Sequence, residues 1–293
     1  METLVFSYFK GHGDGLHLAT SHDSYTWTPL NTNAPIIRPG IGVECIMRDP
    51  CVIYGADGKY HLVWTIGWNE RGIGYAQSED MIHWSQQTYL PVMEHDEHAR
   101  NCWAPEIFFY EKDRVYIIHW SSTINGKFAE TQPYGDDGYN HRFYFVTTKD
   151  FRTFSETKLL YDPGFNCIDG NIVKGHDGYL LFLKNETLTP PQKNICVAMG
   201  STPFSFGSAS EPITLNHYWA EGPTAIHKNG KWLVYFDKYK INEIGLVQSH
   251  DLLHWDDVSD QLNFPKGAQH GSVFRAPLKD VIVLASRFRE KIA

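Results

Sequence analysis

The sequence lacks most of the signatures that would place a chain outside ordinary globular proteins. Its five cysteines (Cys45, Cys51, Cys102, Cys167 and Cys196) form no C-x-x-C pair and make an odd total. That argues against a disulfide framework or a structural zinc site, and buried free thiols are the favoured reading. Apolar runs are short. One of the longest, Val281-Ile282-Val283-Leu284-Ala285, falls far below the ~20 residues of a membrane-spanning helix. The opening Met1-Glu2-Thr3-Leu4 has no basic region of the kind that starts a signal peptide, so a cytoplasmic protein is expected. Charged residues make up only 20%, with an acidic excess that gives a net charge of −8. Phosphate backbones require a basic face, and none is visible, which excludes a nucleic-acid partner. Helical periodicity does not persist for three turns in any window. Oligomeric state leaves no mark on the sequence.

Short apolar stretches alternate with polar residues between turn signals, as in Tyr60-His61-Leu62-Val63-Trp64 and Trp232-Leu233-Val234-Tyr235-Phe236. The chain reads as all-β. A turn motif, [S/T]-x-D-x-x-x-[W/F], recurs at Ser21–Trp27, Ser78–Trp84, Thr148–Phe154 and Ser249–Trp255, with a degenerate copy at Ser201-Thr202-Pro203. Its Asp can cap its own turn, and its aromatic residue can pack between sheets. A second element opens on an acid or His and runs through strand, turn and strand. Its copies begin at Asp49, Glu106, Asp169, Glu221 and His270, at intervals of 49 to 63 residues. Five units predict an all-β chain folded as a five-bladed β-propeller of four-stranded blades, one domain over residues 1–293. The last unit opens near the C-terminus and must take its outer strands from residues 4–30. Joining the two ends closes the ring and removes open edges. Either Leu4–Phe9 or Val281–Ala285 supplies the second strand of that blade.

Strand direction puts all five special residues and the long loops on one face. Innermost strands surround an axis, so Asp49, Glu106, Asp169, Glu221 and His270 are expected to converge. Carboxyl groups crowded at one point raise some of each other's pKa values. A protonated acid beside an ionised one is what glycoside hydrolysis needs. Aromatic residues on this face (Trp68, Trp103, Trp120, Phe128, Tyr134, Tyr139 and Trp219) suit the C–H faces of sugars, with Trp103 the leading platform. Arg275, on the fifth inner strand, can bond sugar hydroxyls or form a structural ion pair. Asn185-Glu186-Thr187 is a formal glycosylation sequon.

The ordered set Arg48-Asp49-Pro50, Trp103-Ala104-Pro105-Glu106, Ile168-Asp169-Gly170, Glu221-Gly222-Pro223 and His270-Gly271-Ser272 resembles glycoside hydrolase family 43. Members are five-bladed propellers that act with inversion on arabinose- and xylose-containing glycans. The resemblance implies Asp49 as general base, Asp169 as the acid that tunes pKa and orients, and Glu221 as general acid. Glu106 stands where the family's W-A-P-D motif carries Asp, outside the catalytic trio, as a hydrogen-bonding wall of the site. His270 matches a His that in many members helps hold a hydrated calcium or sodium ion, and no cofactor is required. The expected activity is exo-acting release of terminal pentofuranose, foremost α-L-arabinofuranose, from an oligosaccharide or polysaccharide. A β-D-xylosidase, a β-D-galactofuranosidase and an anhydrogalactosidase are alternatives on the same scaffold. A phosphorylase would need a basic cluster in place of Asp49. A non-catalytic carbohydrate-binding propeller would tend to repeat one pocket in every blade, whereas here the axial residues differ in type.

Overall fold

The computed structural model describes residues 1–31, 34–215 and 217–289. Five antiparallel sheets stand around one axis. The first blade comprises Arg48–Tyr54, Tyr60–Thr65, Ile73–Ser78 and Thr88–Leu90, and the second Trp103–Tyr110, Val115–Ser122, Arg142–Thr148 and Lys158–Tyr161. The third has Cys167–Lys174, Tyr179–Asn185 and Asn194–Gly200. The fourth has Glu221–Lys228, Lys231–Lys238, Glu243–Ser249 and Asp256–Asp257. In the fifth, Gln269–Pro277 pairs with Glu2–Phe9, which leads to His17–Ser21 and Thr28–Pro29. Each inner strand contacts the inner strands on both sides, so the ring closes. The expected propeller is present.

The structure decides between the two candidate strands of the last blade and departs from the expectation in the third. Glu2–Phe9 supplies the second strand of the fifth blade, while Val281–Ala285 lies in a helix, Leu278–Arg289. Helix is possible there because Val281 and Leu284 share one face, buried against the seam between the fifth and first blades, while Ile282 and Val283 face out. Tyr60 donates a 2.7 Å hydrogen bond to Asp280 and pins the helix start. The third blade has three strands among the described residues. Backbone N–H groups of its outer segment bond back at Gly207, Ser210 and Ile213, a spacing of three that builds no ladder, and Pro203 and Pro212 each remove a donor. Among the described residues no helix is long and apolar enough to cross a membrane.

Burial is distributed between blades. Five apolar clusters each fill the space between neighbouring sheets, including Trp120 between the first and second blades. Trp120 is fully buried there and is not a site aromatic. The turn motif does its structural work as expected. Asp80 accepts backbone N–H bonds from Ile82 and His83 at 2.8 Å, and Asp23, Asp150 and Asp251 repeat the pattern. The residue after each Asp (Ser24, Met81, Phe151 and Leu252) has positive φ, which the capped turn enforces.

This turn lies on the face opposite the long loops. Asp80→Ala removes acceptors for Ile82, His83 and Ser78 and should lower the melting temperature by about 2–4 °C while leaving turnover unchanged. Thermal melts and steady-state assays of the variant check both; lost activity with an unchanged melt would refute the structural role.

Candidate active site

The head of every inner strand carries a bulge, and the bulge decides which side chains reach the axis. In the first blade Arg48 pairs with Thr65 and Cys51 with Val63, leaving Asp49 and Pro50 opposite one residue. The same register shift falls between Trp103 and Glu106, between Ile168 and Asn171, and between Glu221 and Thr224, and His270 occupies it in the fifth blade. Backbone φ is positive at Asp49 (52°), Ala104 (47°), Asp169 (57°) and Gly222 (60°). The equivalent positions therefore form three tiers. Arg48, Trp103, Ile168, Glu221 and Gln269 lead, Asp49, Ala104, Asp169, Gly222 and His270 sit on the bulge, and Cys51, Glu106, Asn171, Thr224 and Ser272 lie below.

This register corrects the expected ring of five equivalent residues. Asp49, Asp169 and His270 do share a tier, and Glu221 stands one residue ahead of it. Glu106 lies a tier down, because Ala104 occupies the bulge of its blade. There Asn171 and Ser272 each donate to one Glu106 oxygen, at 2.5 and 2.8 Å, tying the second, third and fifth blades together. Burial pushes the Glu106 carboxyl up to about 7 despite those bonds. Arg275 is also displaced. It bonds the His227 carbonyl at 3.1 Å and lines a cavity of about 480 Å³ at the other end of the axis. It does not face the site.

Asp49 is the most heavily supported carboxylate. His270 Nδ1 lies 3.1 Å from its Oδ1, Thr65 donates to Oδ2 at 2.9 Å, and Arg48 lies 3.9 Å away. Burial alone would raise its pKa, but the Arg48 and His270 charges and the Thr65 bond hold it down to about 2. Burial would likewise keep His270 neutral, yet Asp169, Asp49 and Glu221 raise it to about 10. Asp169 is buried and accepts the Gly222 N–H at 3.0 Å; burial, with the Glu221 charge, pushes it upward while His270 opposes. Glu221 is partly open, and Lys184 donates to its Oε2 at 3.1 Å. One ionised carboxylate and further carboxyls thus face one space.

Trp103 stands at the wall of this space. Its ring lies 4.6 Å from Tyr139, 4.9 Å from His141 and 5.7 Å from Trp68, and its Nε1 donates to the Trp68 carbonyl. Of the other aromatic candidates, Phe128 packs under Arg142, Tyr134 is exposed, and Trp219 lies near Lys193 and Lys240.

A family model described as "Probable glycosyl hydrolase domain", from the family-43-related group, matches residues 1–279. The chain belongs to this family-43-related group of glycosyl hydrolases. It is similar to an α-L-arabinofuranosidase of Bifidobacterium longum subsp. longum, 26% identical over 160 residues, which cover 48% of this chain and 15% of that relative. An α-L-arabinofuranosidase structure from Lactobacillus brevis matches with a TM-score of 0.57 at 15% identity, over 73% of this chain and 72% of that one. A thermostable family-43 glycoside hydrolase gives 0.59 at 18%, over 76% of this chain and 78% of that one. At these identities the structural likeness is one of fold.

Family membership marks residues 1–279 as a glycosyl hydrolase domain, and the match spans about 15% of the length of that curated arabinofuranosidase. In this hydrolase the His270 ring pairs with Asp49 on one side and packs on Gly222 on the other, where a Cβ would come within 2.3 Å of Cδ2. Glycine is required at 222 for that contact as well as for its φ. Among the described residues no group of three or more His, Cys, Asp or Glu side chains could hold a metal ion. The residues present do not build a direct ligand set for the cation expected at His270.

Two buried groups escaped the sequence reading. Asp237, cross-strand from Glu221, accepts the His270 N–H at 3.1 Å and keeps its Oδ1 without a partner; burial and the Glu221 charge raise its pKa. Lys184 is the other. Both sit opposite the leading tier on second strands, at positions a single sequence marks only by a charge inside an apolar run.

The raised Glu106 pKa has a consequence for stability. Between pH 4.5 and about 7 the folded protein keeps a proton that the unfolded chain releases, so this group's contribution to stability falls as pH rises through that window. Glu106→Gln should remove about 3 kcal/mol of that decline. Unfolding curves at pH 5 and pH 7.5 should converge for the variant relative to the wild type; parallel behaviour would mean Glu106 is ionised throughout.

Proposed function

We propose that the protein is an inverting, exo-acting glycoside hydrolase that releases terminal α-L-arabinofuranose. The observation that carries the reading is a carboxylate held ionised, Asp49, facing the same space as a carboxyl on a non-adjacent blade, Glu221. Asp49 acts as general base. It takes a proton from water, which attacks the anomeric carbon, while Glu221 donates its proton to the leaving oxygen as the glycosidic bond breaks. Asp169 touches neither bond. It orients the fourth blade through the Gly222 N–H and places a carboxyl beside the acid. A separation of base and acid across the axis that admits an attacking water is the arrangement that accompanies inversion. His270 and Arg48 stabilise the Asp49 charge.

Substrate choice rests on the wall and on the relatives. Trp68, Trp103, Tyr139 and His141 close one side of the space, which favours a pocket for a single chain end over an open groove. The Bifidobacterium and Lactobacillus proteins named above are arabinofuranosidases, which supports arabinofuranose ahead of xylose, galactofuranose or anhydrogalactose. The axial residues differ from blade to blade, which speaks against a lectin-like repeat of one pocket. A panel of chromogenic arabinofuranosides, xylosides, galactofuranosides and arabinopyranosides tests the sugar. Arabinofuranoside turnover should dominate.

Glu221→Ala should cost about 10²–10⁴-fold on poor leaving groups and little on dinitrophenyl glycosides, which need no protonation. Equal losses on both would take the general-acid role from Glu221. Stereochemistry and mode are read separately. Proton NMR of the earliest product should show the anomer opposite to the bond cleaved, and digestion of linear arabino-oligosaccharides should give monomer first. A retained anomer would exclude Asp49 as a base acting through water, and early disaccharide without monomer would mean an open groove.

A further inference from the structure

Four second strands reach across to the next blade from one equivalent position, opposite the leading tier. Thr65 accepts the Ala104 N–H at 2.8 Å, Ser121 accepts the Asp169 N–H at 3.2 Å, and Asp237 accepts the His270 N–H at 3.1 Å. In the third blade this position is Lys184, which has no acceptor to offer. The backbone N–H it would have taken, that of Gly222, goes to Asp169 instead. Lys184 is free to bond the Glu221 side chain, and it alone among the described residues hydrogen-bonds that carboxyl.

Its side chain is 1% exposed and begins a chain of alternating charge that runs from the interior out to the partly exposed Asp136. Lys184 Nζ lies 3.1 Å from Glu221 Oε2 and 2.5 Å from Glu186 Oε2, the second as an ion pair outside hydrogen-bond alignment. Lys193, with no exposed side-chain surface, lies 2.6 Å from Glu186 Oε1 and 2.5 Å from Asp136. Asp136 belongs to the loop between Val115–Ser122 and Arg142–Thr148, whose Tyr139 packs on Trp103. The chain therefore runs from the fourth blade through the third to the wall loop of the second. Two buried lysines are costly to desolvate, and well-packed apolar residues would serve stability as well. What an ion chain adds is direction: each carboxyl has one oxygen fixed by the next cation.

We propose that Lys184 is a positioning residue for Glu221, held in place by Glu186 and Lys193, so that the aim of the acid depends on the wall loop. With Oε2 fixed by Lys184, Oε1 accepts no hydrogen bond from the described residues and is the oxygen left to carry the transferred proton. The proposal rests on Glu221 being the general acid. It assigns Glu186, within the formal sequon, to this ion chain.

The test uses phenyl and 2,4-dinitrophenyl glycosides of the sugar selected by the panel. Lys184→Met/Glu186→Gln removes one positive and one negative charge together, leaving Lys193 with Asp136. Its kcat on the phenyl glycoside should fall about 10- to 100-fold, with KM little changed, while the dinitrophenyl glycoside loses far less. A structural defect alone would lower both alike. Lys184→Arg, which keeps a donor to Glu221, should recover part of the loss. If the double variant fails to fold, Lys193→Met/Asp136→Asn breaks the chain one link further out and should show the same preference at smaller size. Uniform loss, or none, in the folded variant overturns the positioning role when Glu221→Ala still discriminates between the two glycosides. If Glu221→Ala does not discriminate, the acid assignment itself falls, and this proposal with it.

Discussion

A two-residue bulge at the head of each inner strand is the constraint on which the site depends. It forces positive φ at one residue per blade in four of the five, and so turns that residue toward the axis rather than into the sheet. Asp49 and Asp169 occupy it with carboxylates, Ala104 with nothing reactive, and Gly222 with the clearance that the His270 ring needs. A regular strand would send these side chains alternately into the two interblade cores. The strain is repeated because the site is built from it, and the five apolar clusters between blades hold the strands rigid enough to keep it.

Charge compensation is the second organising fact. Asp49, His270 and Arg48 form one group, Glu221, Lys184, Glu186, Lys193 and Asp136 another, and each places buried or partly buried ions within a few ångströms of an opposite partner. Pairing separates the roles of chemically similar acids. Asp49 stays ionised because cations face it, whereas Asp169, Asp237 and Glu106 are buried deeply enough for their pKa values to rise. Identical functional groups thus differ through their surroundings.

Blade closure places these groups reproducibly. The strand Glu2–Phe9 enters between Gln269–Pro277 and His17–Ser21, and Ser7 bonds the Pro50 carbonyl of the first blade at 2.6 Å. The seam between the two ends of the chain is therefore tied to the strand that carries Asp49. The helix Leu278–Arg289 covers the same seam from outside, with Tyr60 and Asp280 joining it to the first blade.

Repeat spacing, turn motifs and the ordered acids of the sequence by themselves determined the five blades, the closure by both ends, the face that carries the long loops and the family. Those features are local or periodic, and a single chain displays them directly. The wrong tier for Glu106 came from aligning the blades by charge. Aligning Asp49-Pro50, Ala104-Pro105, Asp169-Gly170, Gly222-Pro223 and His270-Gly271 recovers the bulge, since the second residue of each pair is always Pro or Gly. Arg275 was misplaced because a strand's sequence does not show how far along the axis a long side chain sits. Trp120 could not be told from a site aromatic until neighbouring blades enclosed it, and the terminal helix was hidden because its apolar run suits a strand equally well. Lys184 and Asp237 had no sequence signal beyond a charge in an apolar strand. Only the tertiary structure decided their roles, because the partner of each lies on the next blade, and contacts between blades are set by packing rather than by proximity in the chain.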